Sequence, residues 1–477
     1  MLPDATHFFI DGKWVKPRSS KQGDVINPAT EKPIGKVTLA NDEDVNLAVQ
    51  AASSAFPAYS QTSVKERLNW LIKINEILIE RNDEIADAIT QQMGAPVTMS
   101  RAYQATSGSQ HFGEVIRFLK DYPFEEVIGS TKLRHEPVGV CALITPWNWP
   151  INQIAIKVAP ALAAGCTMVL KPSELAPYDA IILAEAIELA GLPPGVFNLI
   201  HGNGVSVGAP LVDHKLIDMV SFTGSTQAGV SISKAAANDV KRVSLELGGK
   251  SAAIVLDDAD FNEAIPSIVG GVMLNSGQSC NARSRLLVPK NKYTETKNLA
   301  VKFAQSLRVG SPNDADTQVG PLANQAQYER VIAMINTGID EGADLLTGGT
   351  EKPDGLKVGF YITPTIFGNV TPNMRIAREE IFGPVMTIHT YDSLDEAVHL
   401  ANDSEYGLSG SVWSEDHDKA CAIASKLRTG MVHINGAGLD SAAPFGGYKK
   451  SGNGREWGRY GLEEFLEVKS VYGANPS

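Results

Sequence analysis

Two side chains near the middle of the chain are suited to covalent catalysis. Cys280 ends the polar segment 275–280, and Glu246 opens the segment 246–250 upstream of it. A cysteine thiolate can attack an electrophilic carbon and hold it as a thioester, while a separate carboxylate can activate the water that hydrolyses the thioester. The sequence therefore predicts Cys280 as a nucleophile and Glu246 as a general base.

The other three cysteines lack the surroundings of a nucleophile. Cys141 and Cys166 lie in apolar strand segments and Cys421 in a helical segment, so all three are interpreted as core residues. Four widely spaced cysteines without a C-x-x-C pair do not form a disulfide framework, which favours a reducing compartment. The first residues also lack a signal-peptide pattern, and a cytoplasmic protein is expected.

The bulk composition excludes several classes of protein. A chain of 477 residues exceeds one ordinary core, so two large domains are expected. The net charge of -12 argues against nucleic acid and acidic membranes as partners. The longest apolar stretch, 158–170, is too short to span a membrane. The nine histidines show no metal-ligand spacing, so no catalytic metal is expected.

The elements that must position the reactive groups are helices alternating with strands. Segments 41–60 and 67–93 have apolar residues at helical spacing, and the first 120 residues are expected to be mainly helical. From residue 138 short apolar strands alternate with helices, which predicts an α/β fold with a doubly wound parallel sheet. The expected strands are 140–144, 167–170, 196–200, 219–222, 252–256, 285–288 and 430–434.

Two segments are predicted as strands outside the main cores. Residues 121–140 mix β-type side chains with charges, which indicates a hairpin. Residues 464–472 alternate between apolar and polar side chains, as an edge strand does. A domain boundary is expected near residues 248–249.

Polar side chains follow two of the expected strands, at the sheet edge where ligands bind. Asn148 carries an amide that could hydrogen-bond an oxyanion, although an Asn-x-Pro segment alone is more typical of a turn. Lys171 and Glu174 are spaced to hold the hydroxyls of a ribose, although alone they are more typical of a helix start. A carboxylate there would repel a 2′-phosphate, so NAD is preferred over NADP.

Two further segments are suited to contact a dinucleotide. Phe222, Gly224 and Ser225 pass from a strand into a helix, where backbone N–H groups and a hydroxyl could meet a pyrophosphate. Glu380 and Phe382 offer a carboxylate for a second ribose beside an aromatic ring. The alternative for Glu380 is an acidic helix end at the surface.

The usual phosphate-binding fingerprints are missing. Gly202 and Gly204 are followed by Gly208, one residue too late for G-x-G-x-x-G. Ser244 stands where a P-loop ending at Lys250 requires glycine. The second absence removes the best candidate site for ATP.

Taken together, these segments resemble the aldehyde dehydrogenase superfamily, and within it the large NAD-dependent, non-acylating branch. The resemblance extends from residues 27–30 to residues 467–469. The family signature around the general base matches 245–250, and the nucleophile signature matches 277–280.

The resemblance implies a role for each matching position. Asn148 would line an oxyanion hole, and Lys157 with Glu456 would form a proton relay. The implied cofactor-binding residues are Thr145, Pro146, Trp147, Lys171, Glu174, Gly204, Gly208, Phe222, Gly224, Ser225, Leu247, Gly248, Glu380 and Phe382. The implied substrate channel consists of Trp149, Ile156, Ser279, Asn281 and Phe445.

The implied reaction is the NAD-dependent oxidation of an aldehyde to a carboxylic acid. Cys280 would add to the aldehyde, and Asn148 with the Cys280 N–H would stabilise the oxyanion. Hydride would move to NAD, and Glu246 would activate the water that releases the acid.

The resemblance also implies a fold of three parts. These are a Rossmann-type cofactor domain (1–120 and 139–248), an α/β catalytic domain (249–450), and a small β oligomerisation arm with the C-terminal tail (121–138 and 451–477). Such an arm exposes strand edges until a partner covers them, so a homodimer or homotetramer is expected.

The implied channel favours one class of substrate but leaves alternatives. Its aromatic and apolar lining favours an apolar or aromatic aldehyde over a charged one. No arginine in the channel set binds a distal carboxylate, but a semialdehyde stays an alternative. A CoA-acylating enzyme is a second alternative, against which Glu246 counts because such members commonly lack that carboxylate. A non-catalytic protein with the same fold is the third.

Overall fold

The computed structural model describes residues 2–474. Met1 and residues 475–477, at the outer ends of the predicted domain ranges, lie outside the described residues. The predicted α/β class is confirmed, because helices cover two large, mostly parallel sheets.

The strands and helices follow one another along the whole described chain. The strands up to Glu246 are β1 (Phe8–Ile10), β2 (Lys13–Val15), β3 (Gln22–Asn27), β4 (Lys32–Thr38), β5 (Glu125–Ile128), β6 (Thr131–Pro137), β7 (Val140–Ile144), β8 (Thr167–Lys171), β9 (Phe197–Leu199), β10 (Met219–Thr223) and β11 (Arg242–Glu246). The later strands are β12 (Ala252–Val255), β13 (Arg285–Pro289), β14 (Asp344–Thr347), β15 (Thr365–Gly368), β16 (Val385–Tyr391), β17 (Tyr406–Gly407), β18 (Gly410–Trp413), β19 (His433–Ile434), β20 (Tyr448–Lys449), β21 (Gly452–Asn453) and β22 (Leu466–Val471). The α-helices are α1 (Asp42–Tyr59), α2 (Val64–Glu80), α3 (Asn82–Met93), α4 (Val97–Met99), α5 (Ala105–Leu119), α6 (Pro150–Ala164), α7 (Tyr178–Leu189), α8 (Ala209–Asp213), α9 (Thr226–Ala236), α10 (Phe261–Met273), α11 (Tyr293–Ser306), α12 (Gln325–Asp340), α13 (Arg375–Arg378), α14 (Leu394–Asn402), α15 (His417–Ala424) and α16 (Gly458–Glu463). Short π-helical turns occupy Ser100–Gln104 and Gly204–Gly208, and 3-10 turns occupy Ala237–Asp239, Leu274–Gly277 and Lys290–Lys292.

The first sheet has eight strands in the order β2-β1-β9-β8-β7-β10-β11-β21. Its central strands, β9 to β11 in that order, run parallel. Their interior residues are buried on both faces, which explains why the strands are apolar without alternation. The edge strand β21 comes from the C-terminal segment and pairs with β11 next to Glu246.

The second sheet has seven strands in the order β14-β15-β16-β13-β12-β18-β19. All of its pairs are parallel except that of β14 with β15. The strand expected at 430–434 is shorter than predicted, since only His433–Ile434 pairs.

A three-stranded antiparallel sheet, in the order β22-β6-β5, lies apart from both large sheets. It contains the expected hairpin and the expected tail strand, with Val468 opposite His135. The assignment of this sheet as an oligomerisation arm, and the domain boundaries themselves, stay predictions.

The N-terminal region differs from the expectation of a mainly helical segment, because β1 to β4 precede α1. Strand β1 joins the first sheet through Phe9 opposite Leu199, and all three of its residues are buried. The helix expected over 67–93 is interrupted at Arg81, whose guanidinium binds Glu84 at 2.7 Å and Glu185 at 2.6 Å.

Helix α6 covers one face of the first sheet. Nearly all of its residues are buried, and it packs between the sheet and α5. Cys141 and Cys166 are buried as predicted, but Cys421 is exposed on α15, because it lies on the outer face of that amphipathic helix. Across residues 2–474, no helix is both long and apolar enough to cross a membrane.

Candidate active site

The carboxyl ends of the central parallel strands bring several predicted residues to one edge of the first sheet. Lys171 ends β8, Thr223 ends β10 and Glu246 ends β11, while Thr145 directly follows β7. Thr223 lies opposite Glu246 in the parallel register. Strand β11 was not among the predicted strands, although its alternation of Val243 and Leu245 with polar residues is a usable signal.

The turn before Cys280 has an unusual backbone. Asn275, Ser276 and Gly277 have φ angles of 54°, 55° and 74°, so three consecutive residues lie in the left-handed region. A Cβ at Gly277 would lie 2.0 Å from the Gly383 oxygen, which only glycine avoids. Ser276 Oγ donates to the Gly320 oxygen at 2.8 Å. Strain of this kind persists where the surroundings hold it and is concentrated at functional sites.

A buried amide network ties Asn148 to this turn. Asn148 Nδ2 donates to the Gln278 oxygen at 3.0 Å, and Asn275 Nδ2 donates to the Asn148 oxygen at 2.8 Å. Gln104 Nε2 donates to the Asn148 oxygen and to Asn275 Oδ1, both at 3.2 Å. Asn148 is therefore held beside the nucleophile turn, and an isolated turn residue does not account for these contacts.

Cys280 is half-buried next to the segment that contains Glu246. A Cβ at Gly249 would lie 2.6 Å from the Cys280 oxygen, so the two signature segments are in contact. Burial raises the pKa of the Cys280 thiol, and the carboxylates of Glu380, Glu246 and Glu456 raise it further, while the Asn281 N–H opposes them. Within residues 2–474 the Cys280 N–H has no hydrogen-bond acceptor, which leaves it free for a ligand.

The Glu246 carboxyl is buried, with 2 % of the residue exposed. Neither of its oxygens has a partner in the described part of the chain. Burial raises its pKa well above the usual value of 4.5, with a further increase from Glu456 and an opposing effect of Lys157. A buried carboxyl with this pKa and free oxygens is suited to take a proton from water.

Lys157 and Glu456 form a buried ion pair behind Glu246. Lys157 Nζ also donates to Ser221 Oγ at 3.1 Å. Burial raises the pKa of Glu456, and Lys157 opposes that rise. The structure thus brings together the two residues that the resemblance implied as a relay.

Glu380 and Phe382 follow α13 and face the segment that contains Glu246. Glu380 Oε1 accepts from the Gly249 N–H at 2.9 Å, and a Cβ at Gly248 would lie 2.3 Å from Glu380 Oε2. Burial raises the pKa of Glu380 to about 7. Phe382, at a φ of 61°, meets the Trp147 ring edge-on at 5.6 Å between centroids. Glu380 therefore points inward and is not a surface helix end.

Lys171 is buried at the end of β8. Its Nζ donates to the Gly202 oxygen at 2.7 Å and to the Pro172 oxygen at 3.0 Å. Burial lowers the pKa of Lys171, and Glu174 opposes that decrease. A Cβ at Gly208 would meet the Lys171 side chain at 3.8 Å, whereas one at Gly204 would meet open space. These residues surround one part of the cleft at the strand ends.

The expected helix start after β10 is present. Ser225 caps α9 by accepting from the Ala228 N–H at 3.3 Å, and it is exposed. A Cβ at Gly224 would lie 2.5 Å from the Phe222 ring, so only glycine fits at this position. The Leu247 side chain instead packs on Gly229 of α9, so only its backbone remains for a ligand.

The predicted channel residues lie along α6 and the C-terminal segment. Trp149 Nε1 donates to Ser279 Oγ at 2.9 Å, which places the indole beside the nucleophile turn. Ile156 is buried two turns further along α6, and Asn281 is half-buried. Phe445 stacks on Trp457 with 4.9 Å between ring centroids. Pro146, which follows Thr145, is half-buried.

Sequence reasoning missed residues that act through distant contacts. Gln104 and Trp457 were not candidates, yet one joins the amide network and the other stacks on a channel residue. Gln104 has no local signal for this role, because its partners in the amide network, Asn148 and Asn275, are more than forty positions away along the chain. Trp457 follows Glu456 directly, and that adjacency is the only signal available.

Comparisons with known proteins identify the family of this chain. The model of the aldehyde dehydrogenase family matches residues 14–471. A 3-succinoylsemialdehyde-pyridine dehydrogenase of Pseudomonas sp is 56% identical over 473 residues, covering 99% of both chains. The chain belongs to the aldehyde dehydrogenase family. The recognised resemblance is thereby confirmed, and the protein is an aldehyde dehydrogenase.

Solved structures give the same result. A mutant of aldehyde dehydrogenase C from Pseudomonas syringae, in complex with NAD+ and octanal, has a TM-score of 0.99 and 48% identity over 100% of this chain and 99% of that one. An aldehyde dehydrogenase of Mycobacterium tuberculosis, complexed with NAD+, has a TM-score of 0.97 and 40% identity, with 99% of each chain covered.

Proposed function

We propose that this enzyme oxidises an apolar or aromatic aldehyde to the carboxylic acid through a covalent intermediate on Cys280. The contact of Gly249 with the Cys280 backbone carries this proposal, since it joins the nucleophile and base segments beside Asn148. The enzyme is an NAD-dependent aldehyde dehydrogenase, and the predicted cofactor is confirmed by the NAD+ complexes of its homologues.

The reaction begins when the half-buried Cys280 thiol releases its proton to solvent and the thiolate adds to the aldehyde carbon. The carbonyl oxygen becomes an oxyanion that accepts from Asn148 Nδ2 and from the Cys280 N–H. NAD, when bound, would supply the acceptor for the hydride that this adduct loses as it becomes a thioester. Glu246 then takes a proton from water, the hydroxide attacks the thioester carbon, and the carbon–sulfur bond breaks to release the carboxylic acid and the Cys280 thiolate.

The proton that Glu246 takes from water leaves through the buried ion pair of Lys157 and Glu456. Glu456 is close enough to raise the pKa of Glu246, and it is bound to Lys157. The Glu246 carboxyl, the Glu456 carboxylate and the Lys157 ammonium thus form a series, so a proton that Glu246 takes from water can pass on to Glu456. We assign Lys157 and Glu456 this relay role.

The cleft at the strand ends fits NAD. Bare backbone at Gly224 and Gly248 allows close approach, because a Cβ at either would collide with Phe222 or Glu380. The N-terminus of α9 begins at the exposed Ser225, and a helix N-terminus favours a pyrophosphate. The Glu174 carboxylate has no partner among residues 2–474 and is available for ribose hydroxyls. Trp147 and Phe382 form an aromatic corner for the nicotinamide half. We assign the remaining predicted residues to the same cofactor site: Thr145, Pro146, Lys171, Gly204, Gly208, Ser225, Leu247 and Glu380.

The channel supports the substrate class. Trp149, Ile156 and Phe445 supply apolar and aromatic surface, while Ser279 and Asn281 flank the thiol. Octanal in the Pseudomonas syringae complex is an apolar aldehyde. The Pseudomonas relative is named for a semialdehyde that carries pyridine, so a semialdehyde of that kind is the second candidate. A CoA-acylating reaction is disfavoured by Glu246.

Other features support a homo-oligomer and a cytoplasmic location. The four cysteines are free thiols, which supports the cytoplasm. Exposed Val127, Ile128 and Val468 lie on the three-stranded sheet. An exposed edge with apolar side chains supports a homodimer or homotetramer assembled through this sheet.

The deciding experiment follows NADH absorbance with aliphatic, aromatic and semialdehyde substrates in the absence of CoA. Wild type should produce NADH, while Cys280→Ser and Glu246→Gln should both lose steady-state activity. In Glu246→Gln a single burst of NADH should remain, because the thioester still forms but is not hydrolysed. Full activity in Cys280→Ser, or activity only after CoA is added, would overturn the mechanism.

A further inference from the structure

A small buried cavity lies in the second sheet, at the first residues of the parallel strands β12, β13 and β18. Its walls include the side chains of Lys250, Arg285 and Ser409, and all three residues are buried. The cavity has room for about one ligand of the size of a water molecule. Glu246 and Cys280 are not among its lining residues, so the cavity is separate from the proposed reaction centre.

Two polar atoms of the cavity wall have no partner. Lys250 Nζ and Ser409 Oγ are buried, and neither forms a hydrogen bond within residues 2–474. A buried polar group without a partner is rare in native proteins, and a buried charge without one is costly. Both atoms therefore indicate that the cavity holds a ligand.

Three other buried ammonium groups each have an acceptor. Lys157 is paired with Glu456. Lys171 Nζ donates to backbone oxygens at 2.7 Å and 3.0 Å, and Lys241 Nζ donates to two backbone oxygens at 2.7 Å. Lys250 thus differs from the lysines that the fold buries together with their own acceptors.

Arg285 brings a second positive charge to the cavity. Its guanidinium donates to the backbone oxygens of Lys250, Leu400 and Ala401, each at 2.8 Å. A guanidinium has five N–H groups, so two remain after these three bonds. All three acceptors are neutral carbonyl oxygens, and they leave the charge of Arg285 uncompensated.

The nearest carboxylates are engaged elsewhere. Burial lowers the pKa of Lys250 to about 7, and Arg285 lowers it further, while Glu380 and Glu379 oppose that decrease. Glu380 accepts from a backbone N–H at 2.9 Å. Glu379, and Asp403 on the side of Arg285, are each paired with a surface arginine. None of these carboxylates forms an ion pair with Lys250 or Arg285 in the described chain.

We propose that Lys250, Arg285 and Ser409 form a binding site for one small monovalent anion, a chloride ion. The Lys250 ammonium and the Ser409 hydroxyl donate to the ion, and the guanidinium adds positive charge beside it. A water molecule would satisfy the hydrogen bonds but would leave two like charges buried without compensation. Sulfate and carboxylates are too large for a cavity of this size. The site is independent of the proposed reaction.

The ion would connect three parts of the chain. Lys250 follows Gly249, whose N–H binds Glu380, while Arg285 begins β13 and Ser409 precedes β18. These parts come together only in the folded protein, so chloride should bind the folded state and stabilise it.

Thermal unfolding in potassium chloride and in potassium gluconate of equal ionic strength tests the site. With chloride at tenfold its dissociation constant, the unfolding midpoint of wild type should be about 1–2 °C higher than in gluconate. Lys250→Met should abolish this difference. Lys241→Met is the matched control, because it removes an ammonium group whose side chain is also buried but has backbone acceptors. The control should keep the difference.

A second variant and a crystal guard against a misfolded Lys250→Met. Ser409→Ala keeps both cations and removes one donor, so the chloride concentration for half of the effect should rise about 3- to 10-fold. Crystals of wild type grown in bromide should show an anomalous scattering peak beside Lys250 Nζ. Equal midpoints of wild type in chloride and gluconate, or a cavity that holds only water in the bromide crystals, would overturn the proposal.

Discussion

At the scale of single residues, the proposed chemistry depends on how the protein shifts the pKa values of two neighbouring carboxyl groups. Glu246 and Glu456 are both buried, and burial raises the pKa of each. Their mutual repulsion raises the pKa of Glu246 further, whereas Lys157 opposes it. The proposed base therefore takes up a proton more readily than an exposed carboxylate does, as that role requires.

The pH profile should report this arrangement. Glu246 works as a base only when ionised, so thioester hydrolysis should increase as pH rises through its elevated pKa. Glu456→Gln removes the repelling charge and leaves Lys157, so the pKa of Glu246 should decrease and the acidic limb should move to lower pH. Single-turnover hydrolysis measured against pH provides the check. The control variant Glu463→Gln, which changes the partner of Arg459, should keep the acidic limb of wild type. A shift of the acidic limb to higher pH in Glu456→Gln would contradict the assignment.

At the scale of elements, the nucleophile turn is rigid because several separate parts of the chain hold it. The helix-terminal Gln104, the loop residue Asn148 and the backbone at Gly320 and Gly383 all contact residues 275–278. Catalysis is sensitive to displacements of about 1 Å, so such bracing preserves the alignment of the thiol with the oxyanion donors.

Gly277→Ala should disrupt this turn. The new methyl group would need to displace the Gly383 oxygen, 2.0 Å away, in addition to the cost of a positive φ. Gly191→Ala is the matched control, because Gly191 has a φ of 71° but no atom within 4 Å of its added Cβ. The control should lose only about 1 kcal/mol of stability. Gly277→Ala should lose far more activity than the control in NADH assays, and equal activity would contradict the bracing.

The contact between α6 and the C-terminal segment depends on the Lys157–Glu456 pair. Lys157→Met would leave a buried carboxylate unpaired, which typically costs about 3–5 kcal/mol. We therefore expect a marked decrease in the thermal unfolding midpoint at pH 7. The double variant Lys157→Met/Glu456→Leu removes both charges and should recover most of the stability. A double variant no more stable than Lys157→Met would argue against an uncompensated charge as the cause.

At the scale of the whole molecule, the C-terminal segment links parts that are far apart in sequence. Residues 452–453 pair with β11, Glu456 and Trp457 enter the site, and β22 joins the hairpin. One short stretch therefore couples the first sheet, the active site and the proposed interface. A change at the arm can reach Glu456 through only ten residues.

The arm should hold the subunits together. Val468 is 59% exposed on β22, and Val468→Asp would place a charge in an apolar contact. We expect light scattering to show a smaller molecular mass for this variant than for wild type at equal concentration. Val240→Asp alters an even more exposed valine outside the arm and should keep the wild-type mass. A wild-type monomer, or an unchanged mass in Val468→Asp, would contradict the proposed interface.

The sequence by itself determined the parallel α/β class, and it predicted the reactive groups and the strand ends beside them. Those features depend on local patterns, since apolar runs define buried strands and polar residues follow them. Strands β1 and β2 were missed because strands of three residues have weak local patterns, and β1 is stabilised by pairing with β9, far along the chain. Strands β3 and β4 were missed because they contain Gly23, Pro33 and Gly35, residue types that are depleted in strands.

Only the tertiary structure decided how the site is tuned. The amide network joins Gln104 to Asn275, which are 171 positions apart, and no local pattern announces such a contact. The raised pKa of Glu246 arises from burial and from Glu456, which comes from the other end of the chain. Trp457 is connected to the predicted channel only through its stacking on Phe445. Desolvation and long-range packing are properties of the folded surroundings, so residue types alone do not specify them.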